Sequence, residues 1–338
     1  MVLPFIWFLL ISVLIAGYAL LDGFDLGVGM LYPFITKTKE QKAMLRNSIG
    51  PIWDGNEVWL LTAGGALFAA FPKVYATVIS GFYLAMMLVL FSLIFRAVSL
   101  EYRVPGNKNT GWDWAFFLGS TVAALLFGVA FGNVIRGIPV DAHGEFAGNF
   151  FTLLNPFALL IGILGLCMML VHGAAWIALR TQGALQKRAA AVLSIAHWVF
   201  VALAAVATIV AATAESGQAR RVVGNPLGWI MIVVLVAGLV ITRVFIARKR
   251  DGFAFIGSAL GILGLVGIAA VGNYPNLVPA LGNPERSLTV SNSASSHLTL
   301  LAMGIIALIG VPIVLAYTAL VYSKFKGRMA AADQSSGY

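Results

Sequence analysis

Long apolar runs separated by short polar connections recur along the whole chain. A helix needs roughly 20 apolar residues to cross about 30 Å of hydrocarbon, and nine runs are of about this length. The predicted spans are residues 5–34, 52–71, 75–99, 114–134, 152–179, 189–213, 228–247, 253–272 and 298–322. The pattern therefore predicts an all-α, polytopic membrane protein of about nine transmembrane helices that forms a single membrane domain over residues 1–338.

The second span is the most polar of the nine, because it begins with Asp54 and Glu57 and ends at Pro72. The basic residues support its inclusion. With nine spans, all but five of the 22 lysines and arginines fall on one side, and such residues accumulate in cytoplasmic loops. The exceptions are Lys73, Arg136, Arg220, Arg221 and Arg286. This distribution predicts an external N-terminus and a cytoplasmic C-terminus.

Composition excludes a water-soluble domain. The chain is 60% hydrophobic and 10% charged, whereas soluble domains carry about 25% charged residues. The net charge of +9 comes from short clusters between apolar runs, so membrane topology explains it better than nucleic-acid binding. The first run lacks a basic leader region and is too long for a signal peptide, so we expect it to be retained. A single cysteine, Cys167, predicts a free thiol packed among helices.

Four carboxylates lie in or beside the first two spans. Asp22 and Asp25, and likewise Asp54 and Glu57, are three residues apart, which places each pair on one helix face. Asp22 lies roughly 25 Å along the first helix, at 1.5 Å per residue, so all four are expected at a similar depth. A charge at the bilayer centre costs at least about 2.5–3.5 kcal/mol. The cluster is therefore a candidate proton relay open to the cytoplasm.

Two simpler interpretations stay open for these polar groups. Asp54 and Glu57 are also what the positive end of a helix dipole favours in a first helical turn. Arg96, at the end of the third span, is either an anchor at the membrane surface or a partner of the carboxylates. Glycines in the first two spans favour close approach of these helices; they are Gly17, Gly23, Gly27, Gly29, Gly64 and Gly65.

The four histidines offer one candidate for heme ligation. His172 lies in the middle of the fifth span, beside Met168 and Met169. A mid-helix histidine more often hydrogen-bonds a neighbouring helix than binds a heme. Two segments, 131–139 (FGNVIRGIP) and 271–279 (VGNYPNLVP), resemble each other at the ends of the fourth and eighth spans. They indicate either an internal repeat or chance similarity.

The stretches DGFDLGVGML (22–31) and GPIWDGNEVWLLTAGGALFAAFP (50–72) resemble subunit II of cytochrome bd-type quinol oxidases. The resemblance extends through residues 80–103, 112–120, 131–140 and 148–160 and returns at 295–301 and 311–322, so it covers nearly the whole chain. It implies two four-helix bundles plus one peripheral helix. We assign residues 1–140 to the first bundle, 141–323 to the remaining helices and 324–338 to a short cytoplasmic tail.

The resemblance also implies a function. The complex would oxidise membrane quinol and reduce dioxygen in the aerobic respiratory chain, with its hemes and quinol site in a separate subunit I. This chain would stabilise subunit I and help to conduct cytoplasmic protons, with no catalytic residue, metal or heme of its own. The expected partners are subunit I, quinone and lipids, with a small single-helix subunit as a further candidate, but not nucleic acid. The expected location is the bacterial cytoplasmic membrane, with the N-terminus periplasmic or external.

In the family motif, Asp25 and Asp54 match carboxylates associated with the proton route, and Arg96 matches an arginine near it. Asp22 and Glu57 belong to the same motifs and complete the candidate pathway. Trp53 is a candidate contact for a structural quinone or lipid. The chain departs from some relatives at His172 and His297, where they carry glutamine, which argues against heme ligation at either. It also departs in segment 214–227, which is shorter than in longer relatives.

Two other functions fit the buried carboxylates. A proton-coupled transporter would use the same groups and would move a substrate without a heme partner. Broken helices around a midplane site are typical of such transporters, and the sequence shows none clearly. A purely structural scaffold would use the carboxylates for stability alone.

Overall fold

The structure, a computed structural model, describes residues 2–103, 110–213, 217–325 and 327–329. The first half contains six helices: α1 (Val2–Ile35), α2 (Lys39–Ile49), α3 (Trp53–Ala70), α4 (Pro72–Gly81), α5 (Tyr83–Glu101) and α6 (Thr110–Arg136). Lys108, Lys326, residues 214–216 and residues 330–338, on which some predictions fall, lie outside the described residues.

The second half contains α7 (Pro156–Arg180), α8 (Gly183–Thr213), α9 (Gln218–Val223), α10 (Pro226–Ala247), α11 (Asp251–Asn273) and α12 (His297–Lys324). Between α11 and α12, strands β1 (Asn276–Val278) and β2 (Leu288–Thr289) pair as a small antiparallel hairpin. Short 3-10 helices occupy Phe150–Leu153 and Pro284–Arg286. The all-α prediction is confirmed.

Eight helices in the described part of the chain are long and apolar enough to cross a membrane, and α3 is not among them. The first five of its 18 residues include Asp54, Asn56 and Glu57, which lower its hydropathy. Contacts nevertheless place it beside α1, with its last residue bonded to the segment before α12. Asn56 donates to the Leu21 carbonyl, and the Ala70 carbonyl accepts from Ser295 just before α12. At 1.5 Å per residue α3 is about 27 Å long, close to the thickness that a spanning helix must cover.

The predicted span 75–99 is wrong in its first part, because two helices replace it. Helix α4 ends at Gly81, Phe82 is not helical, and α5 begins at Tyr83. The Phe146 ring packs over Gly81, where a Cβ atom would lie 2.7 Å from it. Helix α5 alone has the length and composition of a span.

The helices pack as two groups of four with one helix outside them. Helices α1, α3, α5 and α6 form one group, α7, α8, α10 and α11 the other, and α1 packs against both α6 and α7. The largest cluster of buried apolar side chains lies where the two groups meet, with contributions from α1, α7 and α8. Helix α12 touches α1 and α3, and Leu300 is its one buried residue.

The closest approach of the two groups is at Gly27 of α1 and Gly173 of α7. A Cβ on Gly27 would lie 2.1 Å from the Met169 carbonyl oxygen and 2.7 Å from the Gly173 Cα. Glycine at these two positions therefore lets the helix backbones touch. The expectation that Gly64 and Gly65 bring α3 close to α1 is wrong, since a Cβ at either would meet nothing within 4 Å.

The connections between helices lie at two opposite ends of the protein. The basic end carries α2, the end of α5, the start of α6 and the connections α7–α8 and α10–α11, together with the end of α12. Lys42 pairs with Asp113 there at 2.5 Å, and the Met329 amide donates to the Arg180 carbonyl at 2.8 Å. The other end, here called the hairpin end, carries β1 and β2. This alternation agrees with the nine-span prediction.

The two similar segments at helix ends lie side by side at the hairpin end. Ile138 donates its amide to the Pro279 carbonyl at 3.0 Å, and its own carbonyl accepts from Leu281 at 2.9 Å. The backbone contact therefore joins α6 of one four-helix group to α11 of the other. Cys167 is free and buried, as predicted.

Candidate functional site

A fully buried arginine on α5 lies at the centre of the predicted carboxylate cluster. Arg96 donates from Nη2 to Asp22 Oδ1 at 2.5 Å and from Nη1 to Asp22 Oδ2 at 3.0 Å. Both side chains have no exposed area. Two parallel charge-assisted hydrogen bonds of this kind are strong and directional. Of the two hypotheses for Arg96, the partner of the carboxylates is confirmed, and the surface anchor is wrong.

Two more carboxylates approach the same guanidinium. Glu57 of α3 accepts from Arg96 Nη1 at 3.0 Å, and 23% of its side chain is exposed. Asp25, which is fully buried, has Oδ2 at 4.0 Å from Arg96 Nη2. The Trp53 ring lies near the guanidinium, with its centroid 5.9 Å from Cζ. Helices α1, α3 and α5 therefore each contribute charge to one site.

Neutral groups hold Asp25, which is farther from Arg96 than Asp22 and Glu57 are. Asn56 Nδ2 donates to Asp25 Oδ2 at 2.7 Å and to the Leu21 carbonyl at 3.1 Å. Tyr322 of α12 donates its hydroxyl to Asn56 Oδ1 at 2.9 Å. Because the Leu21 carbonyl can only accept, it fixes the orientation of the Asn56 amide and makes Tyr322 the donor.

The site contains more acid than base. Asp22, Asp25 and Glu57 surround a single guanidinium, and no other cation lies within 4.0 Å of these three among the described residues. Uncompensated charge is costly away from water, so protonation of one carboxyl is an inexpensive way to reduce the excess. Asp25 Oδ1 has no hydrogen-bond partner in the described part of the protein, and neither does the Tyr18 hydroxyl.

Local sequence explains why these side chains meet. The three-residue spacing puts Asp22 and Asp25 on one face of α1, as predicted, and that face is fully buried. On α3, Asn56 and Glu57 point towards α1 and α5. Trp59 packs over Gly17, where a Cβ would lie 2.2 Å from its ring. The absent side chain at Gly17 thus lets α3 lie against α1 one helical turn from the acidic pair.

Asp54 does not join the cluster, so the expectation that all four carboxylates gather is wrong. Its side chain is exposed, and its Oδ1 accepts only from the amide of Gly55, at 2.7 Å. Asp54 and Glu57 share a helix face only approximately, and Arg96 contacts Glu57 but not Asp54. Asp54 instead faces the surface of α3, one turn from the buried group.

Sequence reasoning missed Asn56 and Tyr322. Asn56 stands inside the same DGNE motif as Asp54 and Glu57, so its polarity in a membrane span was an available signal. Tyr322 is 266 residues away from Asn56 in the chain. It lies at an end of α12 where tyrosine is a common interfacial residue, so its pattern gave no indication of a buried contact.

His172 is a hydrogen-bonding residue between helices. Its Nδ1 lies 2.7 Å from Ser258 Oγ of α11, and its Nε2 lies 3.0 Å from the Leu20 carbonyl of α1. The ring stacks on Phe255, with centroids 4.5 Å apart. Both nitrogens are therefore engaged by protein atoms, and the hydrogen-bonding interpretation is confirmed. Across the described ranges, no group of three or more histidine, cysteine or carboxylate side chains is arranged to hold a metal ion.

Comparisons with known proteins agree with the motif resemblance. The family described as cytochrome bd terminal oxidase subunit II matches residues 3–325. The chain is 42% identical to a "probable cytochrome oxidase subunit 2" of Haemophilus influenzae, over 97% of this chain and 95% of that protein. It is 39% identical to the cytochrome bd-I ubiquinol oxidase subunit 2 of Escherichia coli, over 98% and 96%.

A Bacillus subtilis relative and a solved structure extend the comparison. The cytochrome bd ubiquinol oxidase subunit 2 of Bacillus subtilis is 35% identical over 96% of both chains. The fold resembles a chain of the bd oxidase from Geobacillus thermodenitrificans, with a TM-score of 0.80, 17% identity, and coverage of 96% of this chain and 99% of that one. The sequence matches support the oxidase-subunit interpretation over the transporter.

Proposed function

The chain belongs to the family of subunit II of cytochrome bd terminal oxidases, and from this membership we propose that its buried carboxylates conduct protons towards oxygen reduction in a partner subunit. The protein is a subunit of a bd-type quinol oxidase complex, an integral membrane oxidoreductase. The observation that carries the proposal is the excess of carboxyls over the single cation Arg96: Asp22 and Asp25 are fully buried, and Glu57 is partly exposed.

Asp25 is the group best suited to exchange a proton. It is fully buried, lies 4.0 Å from the guanidinium rather than in direct contact, and keeps one oxygen without a partner among the described residues. Asp22 is bound through both oxygens to Arg96, so its role is to hold the arginine charge in place. Protonatable groups inside a membrane are the usual components of proton relays.

The proposed route runs from the basic end of the bundle to the surface of α3. Tyr322 and Asn56 connect the basic end to Asp25 through hydrogen bonds of 2.9 and 2.7 Å. Arg96 and Asp22 form the centre, and Glu57 is partly exposed. Asp54, exposed on the same helix, would pass protons on to the partner.

The partner would be a heme-bearing subunit I that covers the apolar surfaces of α3, α5 and α12. Large apolar side chains are exposed on all three helices, among them Leu61 at 73%, Phe95 at 57% and Leu308 at 77%. Asp54 is exposed in the first turn of α3, at the basic end. A protein partner with polar groups at that position would receive protons from it.

The remaining predictions extend this proposal. The basic end would face the cytoplasm, with the N-terminus external, in a bacterial cytoplasmic membrane. Trp53 would contact a structural quinone or lipid, and a small single-helix subunit would complete the complex. The division into residues 1–140, 141–323 and 324–338 stays a prediction.

Cysteine labelling tests the orientation. A membrane-impermeant thiol reagent should label a cysteine introduced at Ser291 from the outside and one introduced at Lys249 from the cytoplasm. The reverse pattern would overturn the orientation.

Steady-state turnover of the purified complex tests the proton route. Asp25→Asn keeps the volume and an oxygen that accepts from Asn56, so heme content should stay normal. Quinol-driven oxygen consumption should fall roughly tenfold or more, as for loss of a proton-transfer group. Glu101→Gln is the matched control, since Glu101 is an exposed carboxylate at the basic end. Full activity of Asp25→Asn with normal heme would reject the proposal.

A further inference from the structure

A cavity of about 310 Å³ opens at the basic end, apart from the carboxylate cluster. It lies between the α2–α3 connection, the last turn of α7 and the end of α12. Its polar lining comprises Asn47, Ser48, Trp176, Arg180, Tyr322 and Arg328. Ile52, Leu179 and Phe325 form apolar parts of its wall.

Two buried donors line this cavity without using all their hydrogens. Arg180 is 7% exposed and Trp176 is 6% exposed. Arg180 Nε and Trp176 Nε1 have no acceptor among the described residues, although Arg180 Nη2 donates to the Phe325 carbonyl. The guanidinium lies over the Trp176 ring, 5.2 Å from its centroid. Buried donors in folded proteins are nearly always paired, so these two indicate an acceptor supplied by a ligand.

The charge of the cavity indicates which kind of acceptor. Among the described residues, no carboxylate belongs to its lining. Arg328 is neutralised by Asp251 at 2.8 Å, whereas Arg180 has no carboxylate within 4.0 Å in the described part of the chain. A nearly buried guanidinium with no counter-charge favours an anion, and arginine binds planar or tetrahedral oxyanions through parallel hydrogen bonds.

We propose that this cavity binds a phosphate group, with Arg180 as its counter-ion and Trp176 as a second donor. Arg180 Nε and the Trp176 indole N–H donate to phosphate oxygens, and Tyr322 borders the same space. The phosphate belongs either to an anionic phospholipid, whose glycerol portion would lie on the apolar wall, or to free phosphate. Anionic headgroups are concentrated at the membrane face that attracts lysine and arginine. The proposal does not depend on the proton route.

Two measurements on the complete purified complex separate the two sources. Native mass spectrometry counts the phospholipids that remain bound, and thermal denaturation in neutral detergent follows the response to added inorganic phosphate at constant ionic strength. A lipid ligand predicts that the wild type retains an additional phospholipid that Arg180→Gln lacks. A free phosphate ligand predicts equal lipid retention, with phosphate raising the melting temperature of the wild type.

Variants test the residues that form the site. Arg180→Gln should weaken binding of either ligand by about tenfold or more, as for loss of a charge-assisted hydrogen bond. Arg248→Gln is the matched control, an exposed arginine at the same end. Trp176→Phe keeps an aromatic ring against Phe24 and removes the indole N–H donor. This variant replaces Arg180→Gln in the test if Arg180→Gln does not fold. Equal lipid retention together with an equal or absent phosphate response in wild type and both site variants would overturn the proposal.

Discussion

At the scale of single residues, the two aspartates of α1 have different environments despite their shared helix face. Asp22 forms two hydrogen bonds with Arg96, at 2.5 and 3.0 Å. Asp25 accepts from a neutral amide and lies 4.0 Å from the same guanidinium. The first arrangement fixes a charge, while the second leaves a carboxyl able to gain or lose a proton. We therefore expect their substitutions to affect different properties.

Asp22→Asn should destabilise the complex. It replaces a charge-assisted hydrogen bond to the Arg96 guanidinium with a neutral one, and hydrogen bonds to charged groups contribute about 1.5–3 kcal/mol. The melting temperature and heme content of the purified complex should both fall. Asp54→Asn is the comparison, because Asp54 is exposed and binds only its own helical turn. The Asp54→Asn complex should keep its melting temperature and heme content but lose turnover. An Asp22→Asn complex as stable as the wild type would contradict this account.

Tyr322→Phe tests the neutral link between the basic end and Asp25. The substitution removes the hydrogen bond to Asn56 and keeps the ring, so the free energy of unfolding should fall by about 1 kcal/mol. Turnover should fall several-fold, because Asn56 is no longer held against Asp25. Tyr317→Phe on the same helix is the control, since Tyr317 is 64% exposed. Equal turnover in the two variants would exclude a role for Tyr322, while a slow Asp25→Asn variant would still support the rest of the route.

The sequence predicted part of this site because charge in an apolar run is conspicuous. The paired spacing located Asp22, Asp25 and Glu57, and one of the two hypotheses for Arg96 was its observed role. Asn56 and Tyr322 are neutral, and their contact depends on how α3 and α12 pack on α1. The direction in which Asp54 faces likewise depends on helix rotation, which the spacing alone does not determine.

At the scale of helices, apolar length predicted most of the spans to within a few residues. It gave no warning of the interruption at Phe82, because residues 75–99 are predominantly apolar on both sides of it. That break depends on Phe146, which lies in a distant loop and packs over Gly81 and against Phe82. Helix α3 shows the converse, since its polar first turn weakens the apolar pattern although the helix packs beside α1.

The contact between α1 and α7 depends on glycine. Gly27→Ala places a methyl group 2.1 Å from the Met169 carbonyl oxygen, so the two helices must separate. Overpacking of this kind costs about 1–3 kcal/mol, and the melting temperature of the complex should fall. Gly261→Ala on α11 is the control, because a Cβ there meets nothing within 4 Å. An unchanged melting temperature for Gly27→Ala would show that the contact is looser than described.

At the scale of the whole molecule, α12 and the outward sides of α3 and α5 differ from an ordinary protein surface. Among the described residues of α12, Leu300 alone is buried, and α3 carries an exposed carboxylate, Asp54, on the same surface as Leu61. The helix dipole favours a carboxylate in a first helical turn, and a helix that conducts protons to a neighbouring subunit would use the same group. The surface and the cluster beneath it therefore suggest one continuous function.

Photo-crosslinking tests which surface faces subunit I. A photoreactive amino acid at Leu61, which is 73% exposed on α3, should form a crosslink to subunit I. The same group at Val233, which is 63% exposed on α10, should crosslink to lipid only, because α10 lies in the other four-helix group. Crosslinking to subunit I from Val233 and not from Leu61 would reverse the assignment of the two surfaces.

Proton uptake during a single reaction with oxygen tests the central claim most directly. A pH-indicator dye records uptake by the fully reduced complex after oxygen is added, while heme absorbance records electron transfer. For Asp25→Asn, uptake should be slowed roughly tenfold or more, with initial oxygen binding at the wild-type rate and Glu101→Gln behaving as wild type. Uptake at the wild-type rate in Asp25→Asn would contradict the proposed route through the buried carboxylates.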